Sequence, residues 1–74
     1  MILAELRTNC WAKLIEINLP WEIRKHLMEV GILPETKIKM ICKNPLGNIF
    51  LIQVGGTHIA LSEKLARAIK IEYS

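Results

Sequence analysis

Residues 20–47 read PWEIRKHLMEVGILPETKIKMICKNPLG, and within them a helix start, a helix stop and a basic strand follow one another with almost no spacer. Pro20 suits the start of a helix, where its missing N–H has no intrahelical partner to lose. Ile23, Leu27 and Val30 recur at i, i+4 and i+7 and make one apolar stripe, with Glu22, Lys25, His26 and Glu29 spread over the remaining surface. Gly31 supplies a left-handed stop, and Pro34 bars continuation and pushes Leu33 toward extended backbone. A helix is therefore predicted near residues 20–30. From Thr36 to Lys43 the chain alternates, with Ile38, Met40 and Cys42 on one face and Lys37, Lys39, Ile41 and Lys43 on the other. That is a half-buried strand with a basic outer row, and Asn44-Pro45-Leu46-Gly47-Asn48 ends it with loop chemistry.

Working outward, Leu3 to Leu6 is predicted as a short helical turn, and Arg7-Thr8-Asn9 as the turn into a strand spanning Ala12 to Asn18. In that strand Ile15 and Ile17 share a face with Lys13, and Leu14, Glu16 and Asn18 share the other. After the loop, Ile49 to Val54 and Thr57 to Leu61 read as strands joined by Gly55-Gly56, a two-residue hairpin turn with positive φ expected at both glycines. Ser62 caps a short helix over residues 62–68, and Ile69 to Tyr73 alternates as a closing strand. Five short strands and two helices in so small a chain point to a mainly β, closed barrel, since closure removes exposed sheet edges.

The bounds on the chain agree with a single domain over residues 1–74. Its 74 residues are 51% hydrophobic and 23% charged, enough apolar material for one compact core and no signature of disorder. The net charge of +3 permits attraction to acidic surfaces without the concentrated basic runs of strong nucleic-acid binders. Cys10 and Cys42 are widely spaced and form no CxxC, so reduced thiols are expected rather than a zinc module or a disulfide scaffold. No apolar run approaches the ~20 residues of a membrane span. The first residues lack the basic lead and long apolar core of a signal peptide, so a soluble cytosolic protein is expected, with no direct membrane insertion.

Taken in order, Leu3-Ala4-Glu5-Leu6, then Arg24, Leu27, Gly31, Pro34 and the following Thr36, Ile38 and Met40, then Asn44-Pro45-Leu46-Gly47-Asn48, then Gly55-Gly56-Thr57-His58-Ile59-Ala60-Leu61-Ser62-Glu63-Lys64-Leu65-Ala66-Arg67-Ala68-Ile69, the chain resembles the FeoA family of bacterial ferrous-iron uptake along nearly its whole length. The resemblance implies an SH3-like small barrel that acts beside FeoB, the membrane transporter with a cytosolic GTPase domain. It also implies kinship with the C-terminal module of iron-dependent repressors of the diphtheria-toxin-repressor type, and an association with transition metals. Two positions depart from the family pattern: Glu35 follows Pro34 where glycine is usual, and the first turn carries Thr8-Asn9-Cys10 in place of a glycine. Asparagine can adopt positive φ and glutamate rarely does, so a different turn type is expected after Pro34.

Catalysis finds no support in the residues. There is no aspartate, no nucleophile–base–acid set, and no GxxxxGK[ST] phosphate loop, so a non-enzymatic protein without a cofactor is expected. Candidate metal ligands are His26, His58, Cys10 and Cys42, with no pair at helical i, i+3 or i+4 spacing, and no metal site is assigned. His26 and His58 read as solvated, and Cys42 as a small hydrophobe on the face of Ile38 and Met40. The row Lys37, Lys39, Lys43 could meet phosphates, but single-strand binding wants aromatic platforms among the cations and this row holds only Ile41. Nucleic acid is thus the weaker expectation.

The helix carries the sharper partner reading. At about 100° per residue, Trp21 and Met28 project away from the Ile23, Leu27, Val30 stripe, with Arg24 and Lys25 beside them. Either Trp11, the N-terminal turn or a loop covers that side, or Trp21, Arg24, Lys25 and Met28 form a partner-binding face, these being residue types enriched in interface hot spots. The function expected is an accessory or regulatory one in ferrous-iron uptake, by docking on the cytosolic part of FeoB, with self-association a further use of the same face. The alternatives are a transition-metal-responsive module and a small basic barrel that binds nucleic acid.

Overall fold

The computed structural model describes residues 1–73. A 3-10 turn at Leu3–Glu5 leads into β1 (Trp11–Ile17), α1 (Trp21–Glu29), β2 (Lys37–Lys43), β3 (Ile49–Val54), β4 (Thr57–Ser62), α2 (Glu63–Arg67) and β5 (Ile69–Tyr73). The strands form one antiparallel sheet in the order β4-β3-β2-β1-β5. Its inner face encloses a single core whose centre is Leu3, Leu14, Ile38, Met40, Ile52 and Ile69, all fully buried. The closure expected from the strand count is not made by hydrogen bonds, because the edge strands β4 and β5 do not pair with each other. They are joined through α2, capped as expected by Ser62, whose Oγ accepts a hydrogen bond from the Leu65 N–H at 3.3 Å. The free side of β5 is covered by the N-terminus, where Ile2 bridges to Lys70 and the Ile71 N–H donates to the Met1 carbonyl at 2.8 Å.

Two β-bulges decide which residues face the core. In β1, Leu14 pairs with Ile71 and Glu16 with Lys70, so Ile15 is an extra residue without an opposite number. In β2, Met40 pairs with Ile52 and Cys42 with Leu51, so Ile41 is extra in the same sense. Each bulge reverses the in–out alternation beyond it. Ala12, Leu14 and then Ile17 are buried, where uninterrupted alternation would have grouped Ile15 with Ile17 and put Leu14 on the other face. Cys42 is exposed, correcting its expected place beside Ile38 and Met40.

The helix ends as the sequence indicates. The Ile32 N–H reaches the Leu27 carbonyl at 3.0 Å and the Gly31 N–H the Met28 carbonyl at 3.0 Å, with Gly31 at φ +101°. This is a Schellman closure, and it swings Ile32 fully into the core. The helix docks by a different face from the one expected, however. Of the stripe Ile23, Leu27, Val30, only Leu27 is buried, and Ile23 and Val30 are exposed. The reason lies in β1: its bulge leaves Ile15 half-buried on the flank of the strand, and the helix is turned so that Arg24 and Met28, next to Leu27 on the wheel, face that flank.

Two turns settle differently from expectation. Asn9 takes φ +67°, as its side chain allows, but Glu35 also takes a left-handed φ of +75°, so the turn after Pro34 keeps the conformation that glycine would favour. It is held by hydrogen bonds from the Glu35 N–H to the Leu14 carbonyl at 2.8 Å and from the Thr36 N–H to the Leu33 carbonyl at 3.1 Å. In the β3–β4 hairpin, where Val54 pairs with Thr57, Gly55 has φ +59° and Gly56 lies outside the left-handed region, so one glycine rather than two carries the turn.

Candidate functional site

Between α1 and the second half of β1 lies a groove of about 310 Å³ lined by Ile15, Glu16, Ile17, Trp21, Arg24, Met28 and Pro34. Each element contributes for a local reason. The β1 bulge leaves Ile15 on the flank of the strand without an opposite number, and together with Ile17 it gives the groove an apolar floor. The helix supplies Trp21, Arg24 and Met28 at i, i+3 and i+7, one lengthwise strip on its surface. Pro34, locked by its ring after the Schellman turn, stands as a rigid wall. The Arg24 guanidinium lies 5.3 Å from the centroid of the Trp21 ring, a cation–π contact that orders both side chains.

Three of the four residues expected to form a partner face are thus brought together. Lys25 is exposed and stands outside the groove. Trp21 and Met28 do not project away from the body of the protein; they border a cleft against β1, and Trp21 remains 57% exposed. Trp11, one of the segments considered as a cover, sits elsewhere on the sheet, opposite Lys39. Ile15, Glu16, Ile17 and Pro34 were not foreseen as part of the site, because the apolar stripe of α1 points to a different docked face from the one that meets the β1 bulge.

The charges of the groove are open. Among the described residues neither Arg24 nor Glu16 belongs to an ion pair, so one cation and one carboxylate border an otherwise apolar surface. Such a cleft holds one or two large side chains, at the lower end of the range for small-molecule pockets. The candidate metal ligands are scattered. His26 and His58 are exposed on α1 and β4, Cys10 is half-buried against the core, and Cys42 is exposed on β2. Among the described residues no three His, Cys, Asp or Glu side chains converge. The basic row also breaks up: Lys43 turns inward to donate from Nζ to the Ala4 carbonyl at 3.0 Å, over the Phe50 ring at 5.5 Å, leaving Lys37 and Lys39 outside.

The five-stranded antiparallel sheet and the inserted helices define a small SH3-like domain, with a cleft beside α1. The model of the FeoA domain matches residues 1–73, and the chain belongs to the FeoA family, which is tied to ferrous-iron transport. Among solved structures, it is similar to iron(II) transport protein A from Clostridium thermocellum, at 25% identity and a TM-score of 0.93 over 99% of this chain and 45% of that one. It is also similar to Stenotrophomonas maltophilia FeoA complexed with zinc, described as a procaryotic SH3 domain protein and a candidate ferrous iron transport activating factor. That match has 29% identity and a TM-score of 0.81 over 97% of this chain and 89% of that one. The manganese-activated repressor ScaR shares the fold alone, at 18% identity and a TM-score of 0.87 over all of this chain and 35% of the repressor. This chain therefore spans less than half the length of the Clostridium thermocellum protein and nearly all of the Stenotrophomonas one. No curated protein matches the chain in sequence. No helix among the described residues is long and apolar enough to cross a membrane.

Proposed function

We propose that this protein is a non-enzymatic, cytosolic accessory of ferrous-iron uptake that docks through the α1–β1 groove on the cytosolic part of a FeoB-type membrane transporter. The observation that carries the reading is the convergence of Trp21, Arg24 and Met28 on an apolar floor of Ile15 and Ile17. Trp and Arg dominate binding hot spots because each supplies large contact area and a directional polar group, and Met adapts its shape to a partner. The membership of the FeoA family supplies the transport context. Docking would act by differential affinity, stabilising whichever conformation of the transporter's cytosolic domain presents the complementary surface.

The test is direct titration of the purified cytosolic domain of the FeoB-type transporter with the full chain and with Trp21→Ala/Met28→Ala. The expected result is a saturable complex that the double variant weakens by about tenfold or more, while raising the salt concentration changes it little. Absence of any complex at high micromolar concentration, or an undiminished one with the double variant, overturns the reading.

A further inference from the structure

The outer face of the sheet carries a second constellation, made of residues other than those of the groove. The strand register sets Trp11 opposite Lys39, Lys39 opposite Gln53, and Gln53 opposite His58. Four residues far apart in the chain thus form one transverse row across β1, β2, β3 and β4. Residues paired across antiparallel strands point to the same side of a sheet. All four are exposed or half-buried, whereas the adjacent Ala12, Ile38, Ile52 and Val54 are buried, so the row lies on the solvent side. Lys37 follows on the same face of β2, two residues before Lys39, and is exposed.

The charges there are unevenly spent. Lys13, opposite Lys37, is shared between Glu35 at 3.5 Å and Glu72 at 3.4 Å, so it offsets one of the two nearby negative charges and ties both carboxylates to itself. Lys37 and Lys39 have no ion-pair partner among the described residues. The row therefore offers a 41% exposed indole, two uncommitted ammonium groups, an amide and an imidazole within one sheet surface. The Gln53 amide N–H already donates to the Gly55 carbonyl at 3.1 Å, which leaves its oxygen as the outward acceptor.

We propose that this row binds short single-stranded nucleic acid. A base stacks on Trp11, Lys37 and Lys39 take the flanking phosphates, and Gln53 and His58 meet base edges further along the sheet. The Lys39 ammonium now sits 5.9 Å from the centroid of the Trp11 ring. An exposed cation–π contact is weaker than a base stacked on an aromatic ring, so an incoming base displaces the ammonium along its flexible stem toward the phosphate. A duplex would not serve, since its bases keep their faces stacked on one another. The aromatic platform that the linear row of lysines lacks in sequence is supplied by the neighbouring strand.

The experiment titrates oligo-dT and oligo-U of about 12 nucleotides into the full chain carrying Trp21→Phe, so that Trp11 alone reports by fluorescence. Saturable quenching is expected at low salt, with two phosphate contacts weakening it about 25-fold for a tenfold rise in salt. Trp11→Ala, followed by anisotropy of a labelled strand, should weaken binding by about fivefold or more. Lys37→Glu/Lys39→Glu should abolish it while the melting curve stays cooperative, which keeps the test sound should Trp11→Ala fold poorly. Trp21→Ala/Met28→Ala should bind as the unmodified chain does. No saturable quenching at low salt, equal affinity for an abasic strand, or sensitivity to the groove residues but not to Trp11 would each overturn the proposal.

Discussion

Arg24 holds its guanidinium 5.3 Å from the centre of the Trp21 ring, at the mouth of a groove where no carboxylate among the described residues pairs with it. The contact orders both side chains before a partner arrives, lowering the entropy lost on binding. Neither residue is needed to fill the core, whose helical anchor is Leu27 with Ile32 behind it. Trp21→Ala/Met28→Ala should therefore lower the unfolding free energy by no more than about 1 kcal/mol, measured by urea denaturation. Leu27→Ala should cost about 2–4 kcal/mol. A loss with the double variant as large as that with Leu27→Ala would place the groove residues in the core.

Glu35 is the position where local conformation and residue type disagree. A non-glycine residue at φ +75° carries about 1 kcal/mol or more of strain. Its exposed ion pair with Lys13 returns little of that, since such pairs are screened by solvent. Glu35→Gly removes the strain at the expense of a looser unfolded chain, for a net gain of about 0.5–1 kcal/mol and a melting temperature higher by roughly 2–6 °C. A melting temperature that falls on substitution would mean that the Lys13 pair outweighs the backbone.

Lys13 gives a pH signature of its own. The charge of Glu35 first, and the hydrogen bond and charge of Glu72 next, hold its ammonium above the usual lysine range. A cation stabilised in the folded state contributes fully below its unfolded value and loses that contribution as pH rises through the folded one. Denaturation midpoints should thus carry the full Lys13 contribution near neutrality, unchanging with pH there, and should lose it as pH rises above about 10.4. The fall should be steeper for the unmodified chain than for Lys13→Met. Parallel curves for the two proteins over the alkaline range would show that the pair does not survive in solution.

Much of this fold can be read directly from the residues. Gly31 and Pro34 end the helix where they should, Ser62 caps α2, and the strands from Thr36 onward fall at their predicted places. What alternation alone misplaces is the facing of residues after each bulge, and with it the docked side of α1. The phase slip is nonetheless written in the apolar pattern. Ala12 and Leu14 keep one parity and Ile15 and Ile17 the other, just as Ile38 and Met40 give way to Ile41. A shift of one residue in a period-two pattern marks an inserted residue. The outer row of Trp11, Lys39, Gln53 and His58 is a different matter, because its members meet only through strand register, and alternation within one strand tells which face a residue takes but not which residue stands opposite it.

The β2 bulge makes a prediction in which the two readings of Cys42 part company. If β2 alternated without interruption, Cys42 would lie in the core beside Met40, shielded from reagents and costly to change. With Ile41 as the extra residue, Met40 is fully buried opposite Ile52, and Cys42 is exposed opposite Leu51. Cys42→Ser should then change stability by less than about 0.5 kcal/mol, and Met40→Ala should cost about 2–5 kcal/mol. For a domain of this length the second figure is a large part of the roughly 4–11 kcal/mol available, so Met40→Ala should lie close to unfolding at room temperature. In the native chain, a thiol reagent should modify Cys42 at once and Cys10, packed against the core, more slowly. Slow labelling of Cys42 together with a destabilised Cys42→Ser variant would rule out the bulge and restore the uninterrupted strand.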